Sequence, residues 1–199
     1  MKKKTFDAHN IDSLLWLSEQ LFGLVEATHT IHNPPHLVHI YGRHGDLKPD
    51  NILCYERDNG KGPILVISDM GFTDCHGTKS RSEIPNDKIP RTPVYRPPEC
   101  DIIGAKISRA WDIWTLGCLF LDLITWSIGG KEWVREFFEQ RLAAVGHGRF
   151  RSDVYYTIME HRPENDVNED PDGKTPHAMK VKEAVTNVSS IPSPIVLII

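Results

Sequence analysis

The stretch His44-Gly45-Asp46-Leu47-Lys48-Pro49-Asp50-Asn51-Ile52-Leu53, followed by Ser68-Asp69-Met70-Gly71, decides how this chain is read. Between the two, Leu53-Cys54-Tyr55 and Ile64-Leu65-Val66-Ile67 are short, apolar and β-prone, and Glu56 to Pro63 is rich in turn formers with Asp58-Asn59-Gly60 near its centre. Two such runs around such a turn predict a β-hairpin. Strands paired about Gly60 bring Asn51 and Asp69 to the same open end, where an amide oxygen and a carboxylate can share a hard cation such as Mg²⁺. Asp46 then sits beside them as a candidate base, and Lys48 adds a cation. These are the parts phosphoryl transfer uses, since that reaction leaves the protein mainly the tasks of positioning a hydroxyl and neutralising phosphate charge.

The chain resembles the eukaryotic protein kinase family on four signatures in order: His44 to Leu53, Ser68 to Gly71, Thr92-Pro93-Val94-Tyr95-Arg96-Pro97-Pro98-Glu99, and Trp111-Asp112-Ile113-Trp114-Thr115-Leu116-Gly117. The resemblance covers roughly residues 9 to 145, and its wording is most similar to kinase-like proteins of filamentous fungi. It implies an α+β, mainly α, fold: a protein-kinase-like C-terminal lobe with a short β-hairpin carrying the catalytic and metal-binding loops. By the resemblance, Asp46 would accept or orient the substrate hydroxyl proton, Asn51 and Asp69 would hold Mg²⁺, and Leu53 would form the floor under adenine. Lys48, in an Asp-Leu-Lys-Pro run like that of the serine/threonine branch, would steady the γ-phosphate. Thr92 would bond Asp46 and Lys48. ATP is the implied nucleotide, and a protein bearing Ser or Thr the implied substrate.

The same residues admit other readings. Asp46, Asp50 and Asn51 are also turn formers, because Asp and Asn bond local backbone. Asp112 lies in Trp111 to Trp126, apolar on nearly every side as in a helix buried all round. A carboxylate there requires partners, which the family supplies as catalytic-loop amides, so Asp112 is a structural anchor. His44 is read as a packed loop histidine, and Glu99 as a further anchor.

Length and composition set outer limits. With 199 residues, 40% hydrophobic content and 25% charged residues, the chain can form one globular core and is not generally disordered. A net charge of −4 and a pI near 6.2 give no electrostatic reason to expect nucleic acid, and Lys2-Lys3-Lys4 is too short a cluster to change that. No apolar signal core opens the chain, and no run approaches the roughly 18 to 20 apolar residues of a membrane span. An intracellular protein, cytoplasmic or nuclear, is the expectation, with Cys54, Cys75, Cys100 and Cys118 reduced and mostly buried.

Along the chain, Asn10 or Asp12 can cap a helix whose Leu14, Leu17, Leu21 and Leu24 or Val25 recur at helical spacing. His29, His32, His36 and His39 follow, but Pro34-Pro35 breaks any helix that would align them for a metal. Ser108 can cap the buried helix, and a further helix is predicted at about Lys131 to Val145, with Trp133, Phe137 and Leu142 on its apolar face. The domain is placed at residues 9–160, large lobe only. Residues 161–199 are read as a flexible polar link, acidic and turn-rich from Arg162 to Pro176, and a short apolar tail from Pro194 to Ile199.

Departures from the family matter equally. About ten residues precede the first helix, leaving no room for a small lobe with its Gly-rich loop, strand lysine and helix glutamate. The arginine that would pair with Glu99 is missing, so Glu99 is expected to go unpaired. Met70 replaces Phe as a flexible apolar filler. Two functions follow: a protein serine/threonine kinase transferring the ATP γ-phosphoryl, here as a fragment; or a catalytically silent kinase-like binding module or decoy. Both leave room for a partner that covers the exposed lobe surface. Residues 73–91 form a polar, substrate-facing loop, but Gly45 stands where kinases controlled by phosphorylation of this loop carry Arg. Replacing Thr73, Thr78, Ser80 and Ser82 by Ala is therefore expected to leave activity essentially unchanged, as measured by peptide phosphorylation.

Overall fold

The computed structural model describes residues 7, 8, 10–57, 62–76, 81–82, 94–101, 107–143, 152–159 and 178–187. The turn about Gly60, the Arg162 to Pro176 link and the apolar tail lie outside them. Asn10 opens the first helix, α1 (Ile11–His32), by accepting the Asp12 amide on its Oδ1 at 2.8 Å, which satisfies one of the helix's orphan donors. The buried face comprises Leu17, Gln20, Leu24, Thr28 and His32. Leu14 and Val25, expected on the core face, are exposed. Polar side chains take the buried positions because each has a bond of its own. Gln20 Oε1 accepts the Leu65 amide at 3.0 Å, and Thr28 Oγ1 donates to Leu24 O at 2.8 Å.

Among the described residues every strand pair is antiparallel. β1 (Tyr41–Arg43) pairs with β4 (Asp74–His76), and β2 (Ile52–Tyr55) with β3 (Ile64–Ile67). β5 (Arg81–Ser82) pairs with β6 (Ile107–Ser108), and β7 (Tyr156–Met159) with β8 (Ala178–Val181). In the β2–β3 hairpin, Ile52 faces Ile67 and Tyr55 faces Ile64. α1 holds this hairpin through the Gln20 bond and through Trp16 Nε1, which donates to Pro63 O at 2.7 Å.

The two helices predicted by sequence follow, run together as the second long helix, α2 (Ala110–Ala143), and Gly130 marks their junction: at φ 66° and ψ −158° it leaves the helical region and kinks the element. Only glycine adopts such a conformation cheaply. Ser108 Oγ accepts the Ala110 amide at 3.2 Å at the start of the helix. Contrary to the sequence expectation, Ala110–Leu142 is long and apolar enough, by length and composition, to cross a membrane. Its Leu116 and Leu119 instead join Leu24, Leu47 and Ile67 in a buried core, and Leu47 pins the loop between Asp46 and Lys48 to that core. Burying one such leucine is worth roughly 1.5–3 kcal/mol. A second cluster gathers Cys118, Phe137 and Tyr155, with Tyr95, Trp114 and Trp133 packed against it. Cys54 and Cys75 are exposed, so half of the thiols depart from the buried expectation.

Within the range read as link and tail, residues 178–187 form β8 and a short helix, α3 (Glu183–Thr186). Lys182 roots them. It is 3% exposed, and its ammonium donates to Arg141 O at 3.0 Å and Ser152 O at 2.6 Å, capping the last turn of α2. Burial, then the Arg141 charge, pushes Lys182 down to about 8, with Asp153 opposing. The unfolded chain, with Lys near its ordinary value of about 10.4, binds the proton that the folded chain has released, so stability rises as pH climbs from about 8 towards 10. Denaturant titrations at pH 7.5 and 10 should show the stability of the wild type gaining on the order of 1–3 kcal/mol relative to that of Lys182→Met. An equal pH response in both proteins would contradict this.

Candidate functional site

Asp112 organises the site from within α2. Fully buried, it accepts the His44 amide on Oδ2 at 2.7 Å and the Gly45 amide on Oδ1 at 2.9 Å, and His32 Nε2 lies 2.9 Å from Oδ2. The end of α1, the start of α2 and the loop before Asp46 therefore meet at one carboxylate. Gly45 takes φ +80°, and a Cβ there would stand 3.3 Å from Phe72 O. Backbone conformation and proximity both select glycine. His44 is wholly buried: its Nδ1 accepts the Asp46 amide at 3.3 Å, so Nε2 carries the proton and donates to Ser68 O at 3.0 Å.

Asp46 is 5% exposed. Its Oδ2 accepts Lys48 Nζ at 2.7 Å and Asn51 Nδ2 at 3.1 Å, and its carbonyl accepts the same Asn51 nitrogen at 2.8 Å. A buried carboxylate is tolerated when donors converge on it in this way. The Lys48 ammonium is held above its ordinary range by the hydrogen bond to Asp46 first; burial opposes this, and the charges of Asp46, Asp50 and Asp69 add to it. Ser68 closes the hairpin end, its amide and hydroxyl both donating to Asn51 O at 2.8 and 3.0 Å. Directly after it, Asp69 adopts left-handed backbone at φ 61° and caps the turn Met70–Phe72 by accepting the Gly71 amide at 3.2 Å. Asp69 is exposed.

The structure gathers some of the predicted residues and sets others apart. Asp46, Lys48, Asn51, His44 and Asp112 form one bonded network, and Asp69 adjoins it at the open end of the hairpin, close enough to act on Lys48. Leu53 stands on the outward hairpin face opposite Val66, both exposed. Thr92 lies outside the described residues. Glu99, in the turn Pro98–Cys100, has an interaction partner, which corrects the expectation that it goes unpaired. Among the described residues no three His, Cys, Asp or Glu side chains gather as a metal cage. Sequence reasoning missed His32 and Ser68. The signal for His32 was its i+4 spacing from Gln20, Leu24 and Thr28, a buried face that apolar counting passes over.

The family model of the protein kinase domain matches residues 19–142, more than half of the chain. The chain belongs to the protein kinase family. This kinase-family chain is similar to cyclin-dependent kinase 8 of Drosophila melanogaster, at 34% identity over 106 residues, 53% of this chain and 22% of that protein. It is also similar to cyclin-dependent kinase 8 of Caenorhabditis elegans, at 33% over 111 residues, 53% of this chain and 17% of that protein. Serine/threonine-protein kinase SSN3 of Coccidioides immitis shares 36% identity over 83 residues, 41% of this chain and 16% of that protein. The chain thus spans at most about a fifth of the length of these curated relatives.

Asp112→Ala would leave the His44 and Gly45 amides buried without their acceptor and is expected to cost about 3–5 kcal/mol. A lower urea midpoint at unchanged m would report it. Gly45→Ala, forced into left-handed backbone, should cost about 1–2 kcal/mol by the same measurement.

Proposed function

We propose that this chain carries the catalytic and metal-binding loops of a protein serine/threonine kinase, in the large lobe of the kinase fold, and serves transfer of the ATP γ-phosphoryl to protein Ser or Thr hydroxyls. The observation that supports this most is the convergence of Lys48 and Asn51 on one oxygen of a buried Asp46, with Asp69 just beyond the hairpin end. In this reading Asp46 accepts or orients the hydroxyl proton. Lys48, already drawn to the carboxylates, turns its ammonium to the γ-phosphate and spreads the developing charge. Thr92 bonds Asp46 and Lys48 from the substrate side, and Leu53 offers its exposed side chain beneath the adenine. His44, Asp112 and Glu99 hold the loops without touching substrate.

The donors present fit Mg²⁺. Asn51 commits its amide nitrogen to Asp46, which leaves the amide oxygen as its acceptor face, and Asp69 is an exposed carboxylate. Mg²⁺ commonly takes one or two such oxygens and completes its shell with water and phosphate. Three carboxylates, Asp46, Asp50 and Asp69, act on the single ammonium of Lys48. That excess of negative charge favours a divalent cation. When bound, the ion neutralises phosphate charge.

Cofactor and substrate follow from this reading: ATP with Mg²⁺, and a hydroxyl-bearing protein. A partner is inferred to cover the outward hairpin face, where Leu53, Tyr55, Ile64 and Val66 are all exposed. Such a partner would work inside the cell, where the free thiols persist.

Thermal shift tests the reading. MgATP at ten times its Kd should stabilise the chain by about 1.4 kcal/mol and raise Tm by roughly 3–6 °C. Asp69→Ala should abolish the Mg²⁺-dependent part. No shift at millimolar nucleotide would favour the silent binding module instead.

A further inference from the structure

Residues 152–159 and 178–187 lie beyond the stretch matched by the kinase model, yet the first of these stretches grips the segment Val94–Asp101 at two points. Tyr95 and Tyr155 share one acceptor: both phenols donate to Asp122 of α2, at 2.7 Å to Oδ2 and 2.8 Å to Oδ1. Arg96 and Tyr156 share another. Arg96 Nε and Nη2 reach Asp101 Oδ2 at 3.1 and 2.9 Å, and the Tyr156 phenol donates to the same oxygen at 2.5 Å. Two consecutive residues of the segment are thus matched with two consecutive tyrosines, Tyr156 opening β7 and Tyr155 directly before it. The chain sends Tyr155 to one carboxylate and Tyr156 to the other.

Both tyrosines are at least nine-tenths buried. Tyr155 packs edge-on against Phe137, and Tyr156 edge-on against Trp114, with centroids 6.0 and 5.8 Å apart. Burial foremost pushes all three phenols up, so they stay protonated as donors. The strand is fixed at its root as well. The Lys182 amide donates to Tyr155 O at 3.0 Å, and the Lys182 ammonium ties β8 to the end of α2.

We propose that the β7–β8 ribbon is a clamp that holds the segment Val94–Asp101 on α2, with Tyr155 and Tyr156 as its positioning residues. A loop on the surface has no ladder of its own to fix its path, and the two tyrosines supply that constraint from outside the segment, Tyr155 through Asp122 and Tyr156 through Asp101. On the kinase reading this segment directly follows Thr92, so the clamp sets where the acceptor peptide lies relative to Asp46.

Tyr156→Phe keeps the ring against Trp114 and removes the donor to Asp101 together with the weaker acceptor of Arg96 Nε at 3.3 Å, both within the segment. Amide exchange on the full chain should then quicken about tenfold at Arg96 to Asp101, the size expected for one lost buried hydrogen bond, with α1 and the β2–β3 hairpin unchanged. Tyr155→Phe should do the same at Tyr95 and Arg96. Unchanged exchange in the segment, or an equal rise in every element, would overturn the clamp. Exchange does not depend on phosphoryl transfer, so a wild-type chain that fails to phosphorylate any peptide counts against the kinase reading and leaves the exchange result decisive for the clamp. Where transfer is measured, Tyr156→Phe should raise the peptide KM at unchanged kcat, and an equal loss in kcat alone would overturn the positioning role.

Discussion

A single carboxylate sets the geometry around Asp46. Asp112 sits in the apolar interior, where an ionised group left alone would be prohibitively costly, and three donors from two other parts of the chain complete it: the amides of His44 and Gly45 and the ring of His32. The constraint works in both directions. The helix tolerates the acid only with the loop in place, and the loop can hold its left-handed Gly45 only while its amides have an acceptor. Leu47, buried one residue past Asp46, adds the apolar half of the same attachment.

The two cores divide the work. The first, around Leu24, Leu47, Ile67, Leu116 and Leu119, joins α1, the hairpin and α2, and fixes the network of Asp46, Lys48 and Asn51. The second, around Cys118, Phe137 and Tyr155, packs the kinked half of α2 against residues 94 and 95 and the C-terminal ribbon. Arg141 shows how the second core admits charge: its guanidinium lies over the rings of Phe137 and Tyr155 at 4.2 and 4.3 Å, and Nη1 approaches Asp122 at 3.5 Å. Each half of the proposed catalytic surface therefore rests on its own polar anchor, Asp112 for one and Asp122 for the other, both on α2.

Much of this was legible because local chemistry and tertiary structure agree. The hairpin strands, the Asn10 and Ser108 caps and the burial of Asp112 follow from turn chemistry, side-chain oxygens and an apolar surround. What escaped was polar burial. The core face of α1 carries Gln20, Thr28 and His32, and their partners are Leu65 N, the helix itself and a carboxylate 80 positions away. Apolar periodicity marks where hydrocarbon could be buried and is silent on which polar groups find distant partners, so it picked out Leu17 and Leu24 correctly, set the exposed Leu14 beside them and passed over the polar positions of the same face. The pairing of β7 with β8 escaped for the same reason, since Tyr155 and Tyr156 join the fold through acceptors contributed by residues more than thirty positions earlier.

The contrast between Asp46 and Asp69 carries the functional argument furthest. Both are acids beside one lysine, yet Asp46 is enclosed by donors from Lys48 and Asn51, whereas Asp69 is exposed and spends Oδ1 on a turn amide. Enclosure fixes direction, as a group that must meet a hydroxyl at one angle requires; exposure leaves room for an ion with its own shell of water and phosphate. The left-handed backbone at Asp69 turns the chain sharply after β3, so the exposed acid stays at the hairpin end and does not follow the strand into the core. An aspartate tolerates that conformation because its short side chain bonds the backbone two residues on, and the same residue type therefore serves both the turn and the proposed metal.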